Sequence, residues 1–254
     1  MKKAAFFCFV LSFLVYACSG ENHAFKVAAK GSEEQISKML EKIKDVNVFN
    51  EDGWNLLMTA AAYNNNPQVI RKLVGANIDV NAKTKSGITA MLLAAMNNPV
   101  SDIVEALAIS GANLETKTED GVTPLMAASI KNNADVVKML IKKGADIQAK
   151  DDDGVNSLMM AAAENLNPEV ISVLAQAGIP LNTQNQEGLT ALMFAVITNP
   201  NVEIVSTLVD LGANVAITDS YGLTAFDYAE KNSKLKGTDI QKSLAVSKPD
   251  ETKK

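Results

Sequence analysis

The chain is poor in the residues that do chemistry. One histidine and two cysteines occur in 254 residues, which leaves almost nothing from which to assemble an acid/base or nucleophile-activating constellation. The histidine, His23, is read as a solvated residue near the N-terminus. No Gly-x-Gly-x-x-Gly, Walker, Gly-x-Ser-x-Gly or Cys-x-x-Cys pattern occurs, so the common phosphate-binding, hydrolase and thiol-redox signatures are excluded. Aromatic residues make up 5% against 47% apolar residues overall, so the core must be built from aliphatic side chains and alanine. The formal net charge of −5 disfavours nucleic acid as a partner. Asp151-Asp152-Asp153 lacks the alternating ligands and terminal glutamate of a calcium loop and is read as a solvated charge run. The chain is therefore expected to be non-enzymatic, with no cofactor, no metal and no small-molecule substrate.

What is present is periodic. Gly53, Gly87, Gly121, Gly154, Gly188 and Gly222 lie 34, 34, 33, 34 and 34 residues apart, a period that marks a stacked array. Two residues after each stands a helix N-cap former: Asn55, Thr89, Thr123, Asn156, Thr190 and Thr224. Seven residues after each stands alanine: Ala60, Ala94, Ala128, Ala161, Ala195 and Ala229, where neighbouring backbones must approach closely. A second apolar run with helical spacing follows, as in Val69-Ile70 with Leu73 or Ile204-Val205 with Leu208. It stops at Gly111, Gly144, Gly178 and Gly212, with Asn77 in the first full unit. Each unit is thus helix, turn, helix. The turn is rich in asparagine and often carries proline, as in Asn66-Pro67, Asn98-Pro99, Asn167-Pro168 and Asn199-Pro200. The unit from Gly121 has Asn132-Asn133-Ala134 instead and is one residue shorter. Met58, Met126, Met159, Met160 and Met193 recur in phase and are read as core fillers.

Thr123-Pro124-Leu125-Met126-Ala127-Ala128 and Gly144-Ala145-Asp146-Ile147-Gln148 resemble the signature and the post-helix loop of the ankyrin-repeat family. The resemblance covers roughly residues 24–245 and implies an all-α solenoid of stacked helix-turn-helix units joined by hairpin-like loops. Its units are a cap repeat over 24–52, full repeats over 53–86, 87–120, 121–153, 154–187 and 188–221, and a cap repeat over 222–245. Methionine or leucine (Met58, Leu92, Met126, Met159, Met193) stands where the family commonly has histidine, so imidazole hydrogen bonding between repeats is expected to be absent and packing to replace it. The resemblance also implies a protein partner held in a concave groove, with contacts just before each finger glycine, one after it and nine to ten after it. Among these positions are Glu51, Asp52, Trp54, Tyr63, Ile88, Met96, Glu119, Asp120, Val122, Asp152, Asp153, Val155, Glu187, Leu189 and Tyr221. The row Trp54, Ile88, Val122, Val155, Leu189 and Leu223 is apolar throughout; finger-to-finger packing and an exposed docking stripe are both open readings of it.

The one long hydrophobic run is at the start. Lys2-Lys3 precedes Ala4 to Ala17, apolar apart from Ser12 and too short for an ordinary transmembrane helix, so residues 1–17 read as a signal peptide. Val15-Tyr16-Ala17-Cys18 resembles a bacterial lipobox, which implies a lipidated Cys18, a tether over 18–23 and membrane attachment in the cell envelope. Ordinary cleavage after Ala17 and a retained anchor are the alternatives. Removal of residues 1–17 takes Lys2 and Lys3 with it and lowers the charge from −5 to −7. Residues 246–254 are charged and are expected to be a disordered tail. An interaction module of the envelope is the leading functional reading, with an inhibitor or immunity protein and a structural envelope lipoprotein as alternatives.

Overall fold

The computed structural model describes residues 23–245; the signal segment, Cys18 and the C-terminal tail lie outside the described residues. Fourteen helices are found among them and no strand, with one isolated bridge between Lys150 and Asn156. The first helices of successive units are α1 (His23–Lys30), α3 (Leu56–Tyr63), α5 (Ala90–Asn97), α7 (Pro124–Lys131), α9 (Ser157–Glu164), α11 (Ala191–Thr198) and α13 (Ala225–Ala229). The second helices are α2 (Glu33–Leu40), α4 (Pro67–Gly75), α6 (Ser101–Ile109), α8 (Ala134–Lys142), α10 (Pro168–Gln176), α12 (Glu203–Asp210) and α14 (Asp239–Ser243). Each first helix packs on the next first helix and each second helix on the next second helix, in two parallel layers. His23 opens α1; the rest of the tether expected over 18–23 lies outside the described residues.

The layers differ because their sequences differ. In α3 every residue from Leu56 to Ala62 is buried, as expected of a helix that is apolar all round. In α4 only the stripe Val69, Ile70, Leu73 is buried, so the second helices form the outer layer. The six periodic alanines sit at no more than 1% exposure between adjacent first helices, which is why nothing larger stands there. All six expected N-caps form: Asn55, Thr89, Thr123, Asn156, Thr190 and Thr224 each accept from the backbone N–H three residues on. Second helices end on left-handed residues, and Asn77 takes that place at φ 61° where the other full units have glycine.

The turns between the paired helices are of two kinds. Pro67 and Pro168 do occupy the first helical position, but Pro99 and Pro200 precede α6 and α12 by two or three residues. The asparagines before them are not equivalent either. Asn66 and Asn167 cap a second helix, whereas Asn98 and Asn199 belong to a buried series with Asn64, Asn132 and Asn165.

That series corrects the expectation that packing alone joins the repeats. Asn132 Nδ2 donates to Ala95 O (2.7 Å) and Asn98 O (3.0 Å) of the preceding unit. Asn98 donates to Ala61 O and Asn64 O, Asn165 to Ser129 O and Asn132 O, and Asn199 to Ala162 O and Asn165 O. Asn64 starts the ladder on Ala28 O and Gly31 O, and Asn232 ends it on Val196 O. The last carbonyls of a helix have no partner within it; Ala95 O cannot be served by residue 99, a proline without an N–H. Each unit therefore caps the inner helix of the unit before it. The same asparagines accept a turn N–H through Oδ1, as from Val100 and Asn201. The methionines at the expected histidine position bond within their own unit instead: Met126 Sδ and Met193 Sδ each accept the N–H of their N-cap threonine at 3.5 Å.

Ser157 holds the first helical position of α9, where α7 has Pro124. Its Oγ is buried without a hydrogen-bond partner, and an unpaired buried hydroxyl carries a desolvation cost. Ser157→Ala is expected to stabilise the protein by about 1 kcal/mol, read as a higher urea midpoint at unchanged slope.

Candidate functional site

The fingers between successive units are closed by chemistry repeated at one place. Three residues before each finger glycine stands Asn50, Thr84, Thr118, Asp151, Asn185 or Asp219, and its side chain accepts the N–H of the residue just after the glycine. The backbone closes the same loop, as from Asp219 N–H to Leu223 O (2.9 Å). Fingers also meet one another. Gln186 N–H donates to Asp153 O (3.1 Å) and Ser220 N–H to Glu187 O (3.0 Å). At Gly188, with φ 79°, a Cβ would stand 2.8 Å from Ser220 N, so glycine there serves both the turn and the close approach.

This frame sorts the predicted contact residues into two kinds. Trp54, Ile88, Val122, Val155 and Leu189 are half-buried against the core, as are Tyr63 and Met96. The apolar row is thus chiefly packing. Trp54 and Tyr63 stack on each other, ring centroids 6.2 Å apart at 27°, an arrangement that fixes both rings. Exposed are Glu51, Asp52, Glu119, Asp120, Asp152 and Glu187, with Asp153 half-buried behind them. Tyr221 is 80% exposed at the last finger tip. The carboxylates form a line along the finger edge, interrupted by Lys85 in the second finger.

Asp151 departs from the solvated reading. Its Oδ1 accepts from Asp153 N–H (3.0 Å) and Val155 N–H (2.8 Å), and burial pushes its carboxyl above the usual range. Glu164, ten residues after its finger glycine as Tyr63 is after its own, is likewise raised by burial, with Lys131 partly opposing it. Both carboxyls face a setting in which charge is costly.

At the last finger the tip is tied to the cap. Tyr228 OH donates a short hydrogen bond to Asp219 Oδ2, and Asp219 Oδ1 accepts from the N–H groups of Tyr221 and Leu223, each at 2.9 Å. Burial raises the Asp219 carboxyl, but these donors outweigh it and hold the group below its ordinary range. Burial, with the Asp219 bond, pushes the Tyr228 phenol up to about 12. A carboxyl lowered in the folded state stabilises it above the unfolded pKa, and that stability is lost as pH falls through the folded value. Acidification from pH 5 to pH 3 is therefore expected to loosen this clasp, seen as lower protection of the Tyr221 and Leu223 amides relative to their intrinsic exchange at each pH. Asp219→Asn should abolish that pH dependence at those two amides.

Sequence reading missed the finger-closing row and the buried asparagines. Both had a signal, a small polar residue three before each finger glycine and an asparagine eleven after each of the first five. A family model describing ankyrin repeats, in three copies, matches residues 57–151 and 158–250. No curated protein matches the chain. Members of the family act in general as non-enzymatic protein-interaction modules. The match spans most of the chain, and the stacked two-layer units, the capped first helices and the registered fingers all agree with it: this chain belongs to the ankyrin-repeat family.

Proposed function

We propose that the protein is an envelope-anchored interaction module that binds a basic protein partner along the finger edge of its groove. The observation that carries this reading is the line of exposed tip carboxylates Glu51, Asp52, Glu119, Asp120, Asp152 and Glu187, on fingers bonded to their own frames and, from the third finger onward, to one another. Such a line steers a positively charged partner and fixes its register. The Trp54–Tyr63 stack beside Glu51 and Asp52 supplies an aromatic anchor of the kind enriched at interface hot spots. The same line favours, as a special case, an inhibitor or immunity protein whose target is a basic toxin or envelope enzyme.

Co-purification from envelope extract at low and high salt tests the reading. A stoichiometric basic partner, retained at low salt and released at high salt, is the expected result. Retention of nothing, or of a partner indifferent to salt, sinks it. Attachment is tested separately. With Cys18 acylated, the protein incorporates labelled palmitate and partitions with membranes, because several chains together anchor stably. Cys18→Ala is expected to lose the label and leave the fold unchanged. If Cys18→Ala stays membrane-bound with residues 1–17 intact, the segment is a retained anchor instead.

A further inference from the structure

The boundaries between units are not equally bonded. From the third finger onward each finger is tied to the next through its backbone: Asp152 N–H donates to Asp120 O (3.4 Å), Gln186 N–H to Asp153 O (3.1 Å) and Ser220 N–H to Glu187 O (3.0 Å). Side chains add to this, Lys117 Nζ donating to Lys150 O and Gln184 Nε2 to Thr218 O. The outer layer carries ion pairs of its own: Glu33–Lys72 from α2 to α4, Glu105–Lys143 from α6 to the end of α8, and Lys138–Glu169 from α8 to α10.

Among the described residues, one boundary has neither kind of link. Between the units 53–86 and 87–120 no hydrogen bond joins the first finger to the second, and no ion pair joins α4 to α6. Lys143 holds the Glu105 carboxylate at 2.7 Å, and Arg71 of α4 acts on it only at a distance, as the weakest of the nearby cations. The fingers also stand apart. A Cβ at Gly87, Gly121, Gly154 or Gly188 would lie 3.0, 2.8, 3.3 or 2.8 Å from the following finger, whereas at Gly53 it would meet no atom within 4 Å. Sequence supplies a reason. Phe49 stands four residues before its finger glycine, where Lys117 and Gln184 carry their donors. Its ring has nothing to donate to Lys83 O and is 53% exposed.

What does cross this boundary is inner-helix packing, the Asn98 bonds to Ala61 O and Asn64 O, and the Asn81 bonds with Gly111 O and Asn113 N–H. The two units before it hold each other through Glu33–Lys72 (3.2 Å), through Asn64 on Ala28 O and Gly31 O, and through Asn47, which accepts Asp79 N–H. In a linear array each boundary contributes locally, so the weakest one sets the block that opens first. We propose that residues 23–86, the cap repeat and the first full unit, open from the rest of the array as one cooperative block at a seam between the first two fingers, where the finger link is missing. The block takes Glu51, Asp52 and Trp54 with it and leaves the tips from Glu119 onward in their bonded frame. The seam stands whether or not the finger edge binds a partner.

Native-state amide exchange on the unaltered protein tests this. Amides of α1 and α3 are expected to share one opening constant, larger than those of α5, α7 and α9 by about tenfold, the equivalent of two net hydrogen bonds. Protection that falls evenly from α7 to α1 is ordinary end fraying and overturns the proposal, as does α3 exchanging together with α5. Phe49→Gln places an amide donor where Gln184 has its own. It is expected to shrink the tenfold step to a few-fold with α7 and α9 unchanged, and a step left intact overturns the assignment of the seam to the missing finger link.

Discussion

Ala161→Arg is expected to abolish the folded array or split it in two. Ala161 has no exposed surface and lies in α9, between α7 and α11, the two inner helices that pack most closely on it. An arginine there must place extra volume between close backbones and bury a charge with no partner. Both mechanisms belong to the short list that produces losses above about 4 kcal/mol. Circular dichroism melting should show either no cooperative transition or two weaker ones, one for each flanking block, because units in such an array contact only their neighbours. Lys142→Arg, on the exposed side of α8, should melt with the wild type. A wild-type melt for Ala161→Arg would mean that the alanine positions do not mark the inter-repeat contact.

The second large effect is expected at Asn132. Its amide serves Ala95 O and Asn98 O across the repeat boundary, and its oxygen accepts from Asn133 N–H. Asn132→Ala leaves two carbonyls unpaired in a buried setting, at roughly 1–3 kcal/mol each; partial relaxation brings the expected total to about 3 kcal/mol. Asn132→Asp separates hydrogen bonding from shape. The aspartate is nearly isosteric but accepts only, so it faces two carbonyl oxygens and should cost at least as much as alanine. Asn81, which makes a comparable inter-repeat bond to Gly111 O but is exposed, should lose well under half as much on replacement by alanine, since water takes over its partners. Urea midpoints of the four proteins decide this. Asn132→Asp as stable as wild type would show that the ladder is incidental to the stack.

The residues that could be read from sequence are those whose partners are close in the chain. Asn55 and Thr190 announce a helix because their own side chains reach the N–H three residues on. Ala161 and its periodic relatives reveal close packing through size alone. The buried asparagines behave otherwise. Asn98 and Asn66 both precede a proline region and look alike, yet one caps the helix that follows it while the other reaches 34 to 37 residues back into the preceding unit. What separates them is register, eleven residues after the finger glycine for Asn98 against thirteen for Asn66, and it gains meaning only once the units are stacked. The apolar finger row is similar, since Val122 reads equally well as docking surface or packing until its neighbours are placed, and it proves half-buried against the core.

Site-specific photo-crosslinking in the native envelope tests most directly whether the finger edge is the working surface. A photoreactive residue at position 120 or 152, both exposed on finger tips, is compared with one at position 142 or 203, both exposed on the outer helices. The account predicts one discrete adduct from positions 120 and 152, diminished by high salt, and none of that size from 142 or 203. The same adduct from the outer helices, or no adduct from the finger tips, would contradict it.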